Sequence, residues 1–323
     1  MTATVSIVPD GVLAYGLQLP VQALSVRTSS AWEREGSTVQ DMIDVARACD
    51  GAGFLYVAVC HHVAIPREPA EMMSTQWFDP IPTLAYVAAN TTSTRVMTNV
   101  YVAAYQHPLQ AAKAFATLDA LSGGRVIVGV GAGHVEGEFD ALEVPFKDRG
   151  RLTDEAIDAI TVALTDEWPE HAGARWSFKD LGQRPRPVQE PRPPIWIGGY
   201  GKPALRRVAA RGDGWIPQGT PRSQLRDDIA YILRHAEETR PGARPEMGFI
   251  TETVYVGEPD FDIGRYSVSG SPQRLVDSFN ELGEMGVSHL QLRFASRSAS
   301  ELCEQVAAFG ADVGPHLVRR SLS

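Results

Sequence analysis

Two adjacent histidines, His61 and His62, directly follow a short apolar run, Phe54 to Cys60. Imidazole changes charge near neutral pH, so either ring could orient a substrate or move a proton. A second apolar run ends in Thr98, Asn99 and Val100, which puts polar groups at another strand end. Two glycine-rich turns add a different chemistry. Gly129-Val130-Gly131-Ala132-Gly133, followed by His134, lets backbone approach a planar ligand closely. Gly198-Gly199-Tyr200-Gly201 lies between the strand Ile195 to Ile197 and a helix that starts near Lys202. There the free N–H groups and positive dipole end of a helix converge on one point, which is an anion site. Lys202 and Arg206 could add charge, and the loop Gln218-Gly219-Thr220 could add amides.

Other chemistries fit less well. The GxGxG run lacks the GxGxxG spacing of a dinucleotide fingerprint, and no acidic residue closes a following strand at the required distance. His61, His62, His107 and His134 are linked by no HxH or HExxH spacing, so no metal site is expected. Arg149 and Arg151 could hold a carboxylate or phosphate, or form a solvated pair; spacing does not decide.

The elements that must position these groups alternate. Strands are expected at Ala14 to Leu19, Phe54 to Cys60, Arg95 to Tyr101, Arg125 to Val130, Ile195 to Gly198, Trp215 to Pro217, Met247 to Val256 and Val287 to Arg293. Helices are expected from Ser37 (with Gln40 completing a capping box), from Asp79-Pro80, over His107 to Leu121 and Leu152 to Trp168. Four more follow: Lys202 to Arg211, Thr220-Pro221 to Thr239, Ser271-Pro272 to Met285 and Ser298 to Phe309, where Glu301 completes a second box. His61 to Trp77 reads as a loop, in which Met72, Met73, Trp77 and the following Phe78 could wall a site or pack a helix. The Pro/Arg tract ending at Pro194 reads as an extended connection. Strict alternation argues for a parallel sheet with helices outside, and eight units close most simply into a (β/α)₈ TIM barrel; a doubly wound open sheet is the alternative. A barrel site would lie at the strand C-termini, where Gln18, His61, His62, Asn99, His134 and Gly198 to Gly201 stand.

With 323 residues, 44% of them hydrophobic, the chain can bury one large core, and a single domain spanning 1–323 is expected. The net charge of −9 argues against nucleic-acid or anionic-membrane partners, and no apolar stretch approaches the ~20 residues of a membrane span. Three scattered cysteines form no CxxC pair, and Met1 to Asp10 is no signal peptide, so a cytoplasmic location is expected.

The order of motifs resembles the luciferase-like monooxygenase family, and within it the actinobacterial branch of F420-dependent oxidoreductases. Tyr15 to Pro20 resembles the opening strand. The run Leu118 to Arg125, continuing through Gly129 to Gly133, carries the most specific likeness, and Phe139 to Phe146, Arg149 to Arg151, Ile195 to Gly201 and Gly212 to Trp215 follow in order. The resemblance implies a barrel binding flavin or deazaflavin, often with a non-proline cis peptide after the third strand, here near Asn99-Val100. It gives Thr98, Asn99, Val100, Gly131, Gly133 and His134 a cofactor-facing place. Phosphate would lie on Gly198, Gly199, Tyr200, Gly201, Gln218 and Gly219. These turns follow the fifth and sixth strands, whereas many barrels bind phosphate after the seventh and eighth.

The activity implied is hydride transfer between coenzyme F420 and a small organic substrate, with His62, and His61 beside it, as catalytic residues. An FMN-dependent monooxygenase and a non-catalytic flavin-binding protein are the alternatives. A homodimer is implied by the resemblance alone. The chain departs from its relatives at His61, where they carry a carboxylate, and at Glu143, where they carry glycine.

Overall fold

The structure, a computed structural model, describes residues 4–26 and 29–319. Eight parallel strands form the barrel: β1 Ala14–Gln18, β2 Tyr56–Val59, β3 Arg95–Thr98, β4 Val126–Gly131, β5 Ile195–Gly198, β6 Gly214–Ile216, β7 Glu246–Val256 and β8 His289–Phe294. Each pairs with the next, and β8 closes on β1 with Tyr15 opposite Leu290. The open-sheet alternative is thereby removed. The strands read as near-continuous Val, Ile and Leu because helices cover one face and side chains fill the other. Tyr56, Ala58, Met97, Ile127, Trp196 and Ile216 fill the barrel centre. Trp196 stacks on His289 with ring centroids 4.1 Å apart. The interior is therefore packed, and chemistry is confined to the ends.

Local signals explain most helix starts. Asp79 accepts from the Ile81 amide ahead of the helix Pro80–Ala89, and His107 Nδ1 accepts from the Leu109 amide ahead of Pro108–Ser122. Ser271 and Ser298 cap their helices as expected. The capping box placed at Ser37 and Gln40 is displaced by one residue. Thr38 is the cap, and Asp41 accepts its backbone N–H at 2.7 Å, because a carboxylate is the stronger acceptor. The stretch read as a loop from His61 to Trp77 contains a helix, Arg67–Met73. The long helix runs Arg149–Thr165, starting three residues before Leu152, and a short helix Glu136–Ala141 precedes it. Two small pieces went unanticipated: the antiparallel pair His171–Ala172 with Ser177–Phe178, and Ser267–Gly270 beside the end of β7.

The run Leu118 to Arg125 serves the far end of the barrel. Buried Asp119 accepts from the amides of Val188 and Gln189 and from the Gln189 side chain, tying the extended connection down. Arg125 donates to the carbonyls of Thr94 and Ala88, locking the entry to β3. At the same end Asp213, fully buried, accepts from the Arg192 guanidinium and from the Ile195 and Val5 amides. Asp213→Ala would strand Arg192, which is 1% exposed, without its counter-charge. The expected loss is about 3–5 kcal/mol, read as the unfolding free energy in urea.

Candidate active site

At the C-terminal rim, side-chain amides from three strands and one loop meet across the mouth. Gln18 of β1 donates to Cys60 Sγ at 3.2 Å and accepts from Gln291 of β8 at 3.4 Å. Gln291 Oε1 accepts from Asn99 Nδ2 at 2.6 Å, and Asn99 Oδ1 accepts from Gln218 Nε2 at 3.5 Å. Asn99 follows β3 directly, and Gln218 lies two residues past β6. Because side chains alternate along a strand, Gln291 and His289, two residues before it, both face inward, one at the mouth and one at the packed centre.

Beneath this floor the backbone makes a non-proline cis peptide at Asn99-Val100, where the resemblance implied one. The Val100 side chain lies on two glycines. A Cβ at Gly198 would stand 2.3 Å from Val100 Cγ1, and one at Gly131 would stand 2.4 Å from Val100 Cγ2. At Gly129 it would meet the Thr98 carbonyl oxygen at 1.8 Å. These glycines of β4 and β5 are thus explained by strand and bulge packing. Thr98 is internal too: its hydroxyl donates to the Gly129 carbonyl and accepts the Gly129 amide. Gly133 adopts φ +74°, and a Cβ there would meet Phe139 and Val102 at 2.9 Å.

His61 and His62 diverge. His61 is 4% exposed and stacks on Tyr101 with centroids 4.7 Å apart. Its Nδ1 accepts the Val102 amide at 3.2 Å, so its proton resides on Nε2. Burial holds its pKa down at about 4, so the ring is neutral at physiological pH. His62 is half-buried between Trp77, at 4.3 Å between centroids, and His134, at 5.6 Å. Its Nδ1 lies 2.6 Å from Glu138 Oε2. Burial pushes the Glu138 carboxyl up, but the His62 hydrogen bond and the amides of Val63 and Ala64 outweigh it and hold the group below the ordinary glutamate value. An ionised carboxylate only accepts, so Nδ1 donates and Nε2 is left as the basic nitrogen. Nε2 has no hydrogen-bond partner among the described residues. Tyr105 adds its hydroxyl to Glu138 Oε2 at 3.3 Å.

Sequence reasoning missed Glu138. It sits in the short helix Glu136–Ala141 just beyond the glycine run. Its signal is an acidic residue one turn past a barrel strand, next to Phe139 that anchors it in the core.

The His61 geometry implies a pH effect on stability. Unfolded, the ring protonates near pH 6.5; folded, only near 4. Between these values the unfolded chain binds the extra proton, so stability rises with pH through this window and is lost as pH falls from about 6.5 toward 4. From pH 7 to pH 5 the loss attributable to His61 is about 2 kcal/mol. In urea titrations His61→Asn, whose amide oxygen can still accept the Val102 N–H, is expected to lose that much less than wild type over the same interval. Equal losses in the two proteins would contradict the assignment.

The turn Gly198 to Gly201 meets the helix Gly201–Arg211. Gly199 and Gly201 take φ +124° and +73°, a left-handed backbone that glycine adopts freely. The Gly199 amide is occupied by the Ile216 carbonyl, so the amides pointing out of the helix start are those of Tyr200, Gly201 and Lys202. Tyr200 is 71% exposed. The Lys202 ammonium sits over the Tyr231 ring at 3.8 Å. Arg149 rests on Phe146, and Arg151 stands beside Asp148 and Glu155, so both serve the helix start at Arg149. Glu143, where relatives carry glycine, adopts φ +57°.

The side-chain amide network, the His62 imidazole and the free amides at the helix start all stand past the C-terminal ends of barrel strands. The solved structures include proteins of the same architecture. Monooxygenase RslO1 from Streptomyces bottropensis superposes with a TM-score of 0.77 at 22% identity, covering 94% of this chain and 99% of that one. An F420-dependent secondary alcohol dehydrogenase superposes with a TM-score of 0.76 at 16% identity, covering 95% and 99%. Among sequences, the oxygenase component of a flavin-dependent trigonelline monooxygenase from Acinetobacter baylyi is 28% identical over 229 residues, which is 69% of this chain and 60% of that protein. No described helix is long and apolar enough to cross a membrane. The family model for luciferase-like monooxygenases matches residues 21–266, and the chain belongs to that family.

Proposed function

We propose that the chain is an oxidoreductase that binds coenzyme F420 at the barrel mouth and moves a hydride between it and a small organic substrate, at a carbon bearing oxygen. The observation that carries this reading is the His62–Glu138 pair. When bound, the deazaflavin supplies a two-electron hydride donor or acceptor at a ring carbon. The ring would lie over Asn99 and Val100, with its phosphate on the amides of Tyr200, Gly201 and Lys202 and near Gln218 and Gly219. His62 Nε2 takes the hydroxyl proton as an alcohol loses its hydride, and returns it in the reverse direction. Glu138 fixes the tautomer and balances the charge that His62 acquires. His61 holds the loop after β3 in place through Val102 and Tyr101. His134 and Trp77 flank His62 and narrow the approach.

A second reading, an FMN-dependent monooxygenase, is favoured by the likeness to the trigonelline enzyme, which is 28% identical over 69% of the chain, against 16% for the F420-dependent alcohol dehydrogenase that superposes over 95% of it. The test is turnover on a panel of small alcohols and carbonyl compounds. Absorbance of F420 is followed in one arm, and oxygen uptake with reduced FMN in the other. Substrate-dependent change in F420 absorbance is expected. Oxygen uptake coupled to product, with F420 inert, would establish the monooxygenase instead.

A further inference from the structure

One charged group in the mouth is not used by this account. Arg293, the last inward-facing residue of β8, continues the alternation of His289 and Gln291. Its guanidinium makes no ion pair and no hydrogen bond among the described residues. Among the described residues, the other half-buried or buried arginines are all engaged: Arg192, Arg207, Arg211, Arg222 and Arg319 each carry a carboxylate partner, and Arg95, Arg125, Arg149, Arg186 and Arg240 donate to backbone carbonyls. Cys60 acts on Arg293 electrostatically, but burial pushes that thiol up to about 11, so it brings no negative charge at neutral pH. Arg293 lines an open cavity of about 230 Å³ with Pro217, Gln218, Gly219, Thr220 and Ile250. Thr220 is 9% exposed, and its hydroxyl oxygen, buried in this wall, has no partner. A guanidinium and a hydroxyl, both without partners at one cavity, form an incomplete site, because such groups are ordinarily paired when buried.

We propose that Arg293 and Thr220 receive an oxyanion of the substrate, so that the compound this chain turns over carries a carboxylate or phosphate group. The inference rests on the reading that the mouth holds the cofactor. It names what lies beside it. A carboxylate or phosphate accepts two parallel N–H bonds from the arginine fork and one from the hydroxyl, which orients the substrate's remaining end. The amides of Tyr200, Gly201 and Lys202, assigned to the cofactor phosphate, do not line this cavity, and the Gln218-Gly219 loop is shared between the two. The substrate's oxyanion therefore falls to Arg293.

The test begins with the purified chain alone, titrated calorimetrically with inorganic phosphate and with benzoate, then repeated with FMN bound. With FMN occupying its own phosphate cradle, wild type is expected to bind one further anion per chain, and Arg293→Gln to weaken that binding at least tenfold. Thr220→Val is expected to weaken it about threefold or more, since a hydrogen bond to a charged group is lost. FMN and riboflavin affinities should stay within twofold in both variants. Anion binding that is absent in wild type, or unchanged in Arg293→Gln, overturns the proposal. So does a variant that loses FMN affinity but not riboflavin affinity, because the arginine would then serve the cofactor phosphate. Failure of any flavin to bind would sink the preceding reading instead, and the anion titration on the bare chain would still stand. Stability gives a second readout. Removing an unpaired charge should leave the melting temperature of Arg293→Met equal to or above that of wild type. A fall of several degrees would mark Arg293 as structural and overturn the proposal.

Discussion

His62→Asn is expected to lower turnover by about 10²–10⁴-fold while leaving cofactor affinity within twofold. Asparagine can still donate to Glu138 from the position of Nδ1, so the local packing survives. What disappears is the basic nitrogen at Nε2. Glu138→Gln should cost about 10²-fold by a different route. Glu138 Oε1 accepts from the Val63 and Ala64 amides, so a glutamine keeps its oxygen there and turns its NH₂ toward His62. That NH₂ donates, which forces Nδ1 to accept and moves the ring proton to Nε2. The imidazole then presents the wrong tautomer toward substrate. Both losses should fall on turnover and spare cofactor affinity. Equal losses of turnover and of cofactor affinity in both variants would indicate structural damage only.

Gly198→Ala should disable the site without touching a catalytic group. The new Cβ would stand 2.3 Å from Val100 Cγ1, and either the bulge after β3 or the end of β5 must move. The expected cost is about 1–3 kcal/mol in unfolding free energy, with cofactor affinity weakened at least tenfold because Asn99 moves with Val100. Val100→Ala removes the clashing methyls. The double variant Gly198→Ala/Val100→Ala is therefore expected to recover most of the lost stability, a coupling that a double-mutant cycle measures directly. No such rescue exists at Gly129, where the added atom would meet a backbone oxygen at 1.8 Å. Additive losses in the Gly198 cycle would contradict the packing account.

The eight strands were legible in the sequence because most are short apolar runs closed by a turn, and the parallel barrel follows from strict alternation with helices. The most specific likeness to the family, Leu118 to Arg125 continuing through Gly129 to Gly133, spans both ends of the barrel. Asp119 and Arg125 are anchors at the far end, whereas Gly131 packs against Val100 at the mouth. The rule that selected residues after strand ends found His62 and Asn99 but stopped short of Glu138, whose helix is only six residues long and has no capping side chain. The same rule, applied to the last strand, would have found Gln291 and Arg293. It could not separate His61 from His62, since adjacent residues differ only in which way the chain turns after β2. That direction is set by Val102 and Tyr101, some forty positions later.

On the proposed function, the mouth holds a ring whose anionic tail rests on the amides at Tyr200 to Lys202. Fluorescence titration of the purified chain with F420, FMN and riboflavin tests it most directly. Saturable micromolar binding of F420 or FMN is expected, with riboflavin, which lacks the phosphate, bound at least a hundredfold more weakly than FMN where FMN binds. Riboflavin and FMN binding equally well, or none of the three binding, would contradict it.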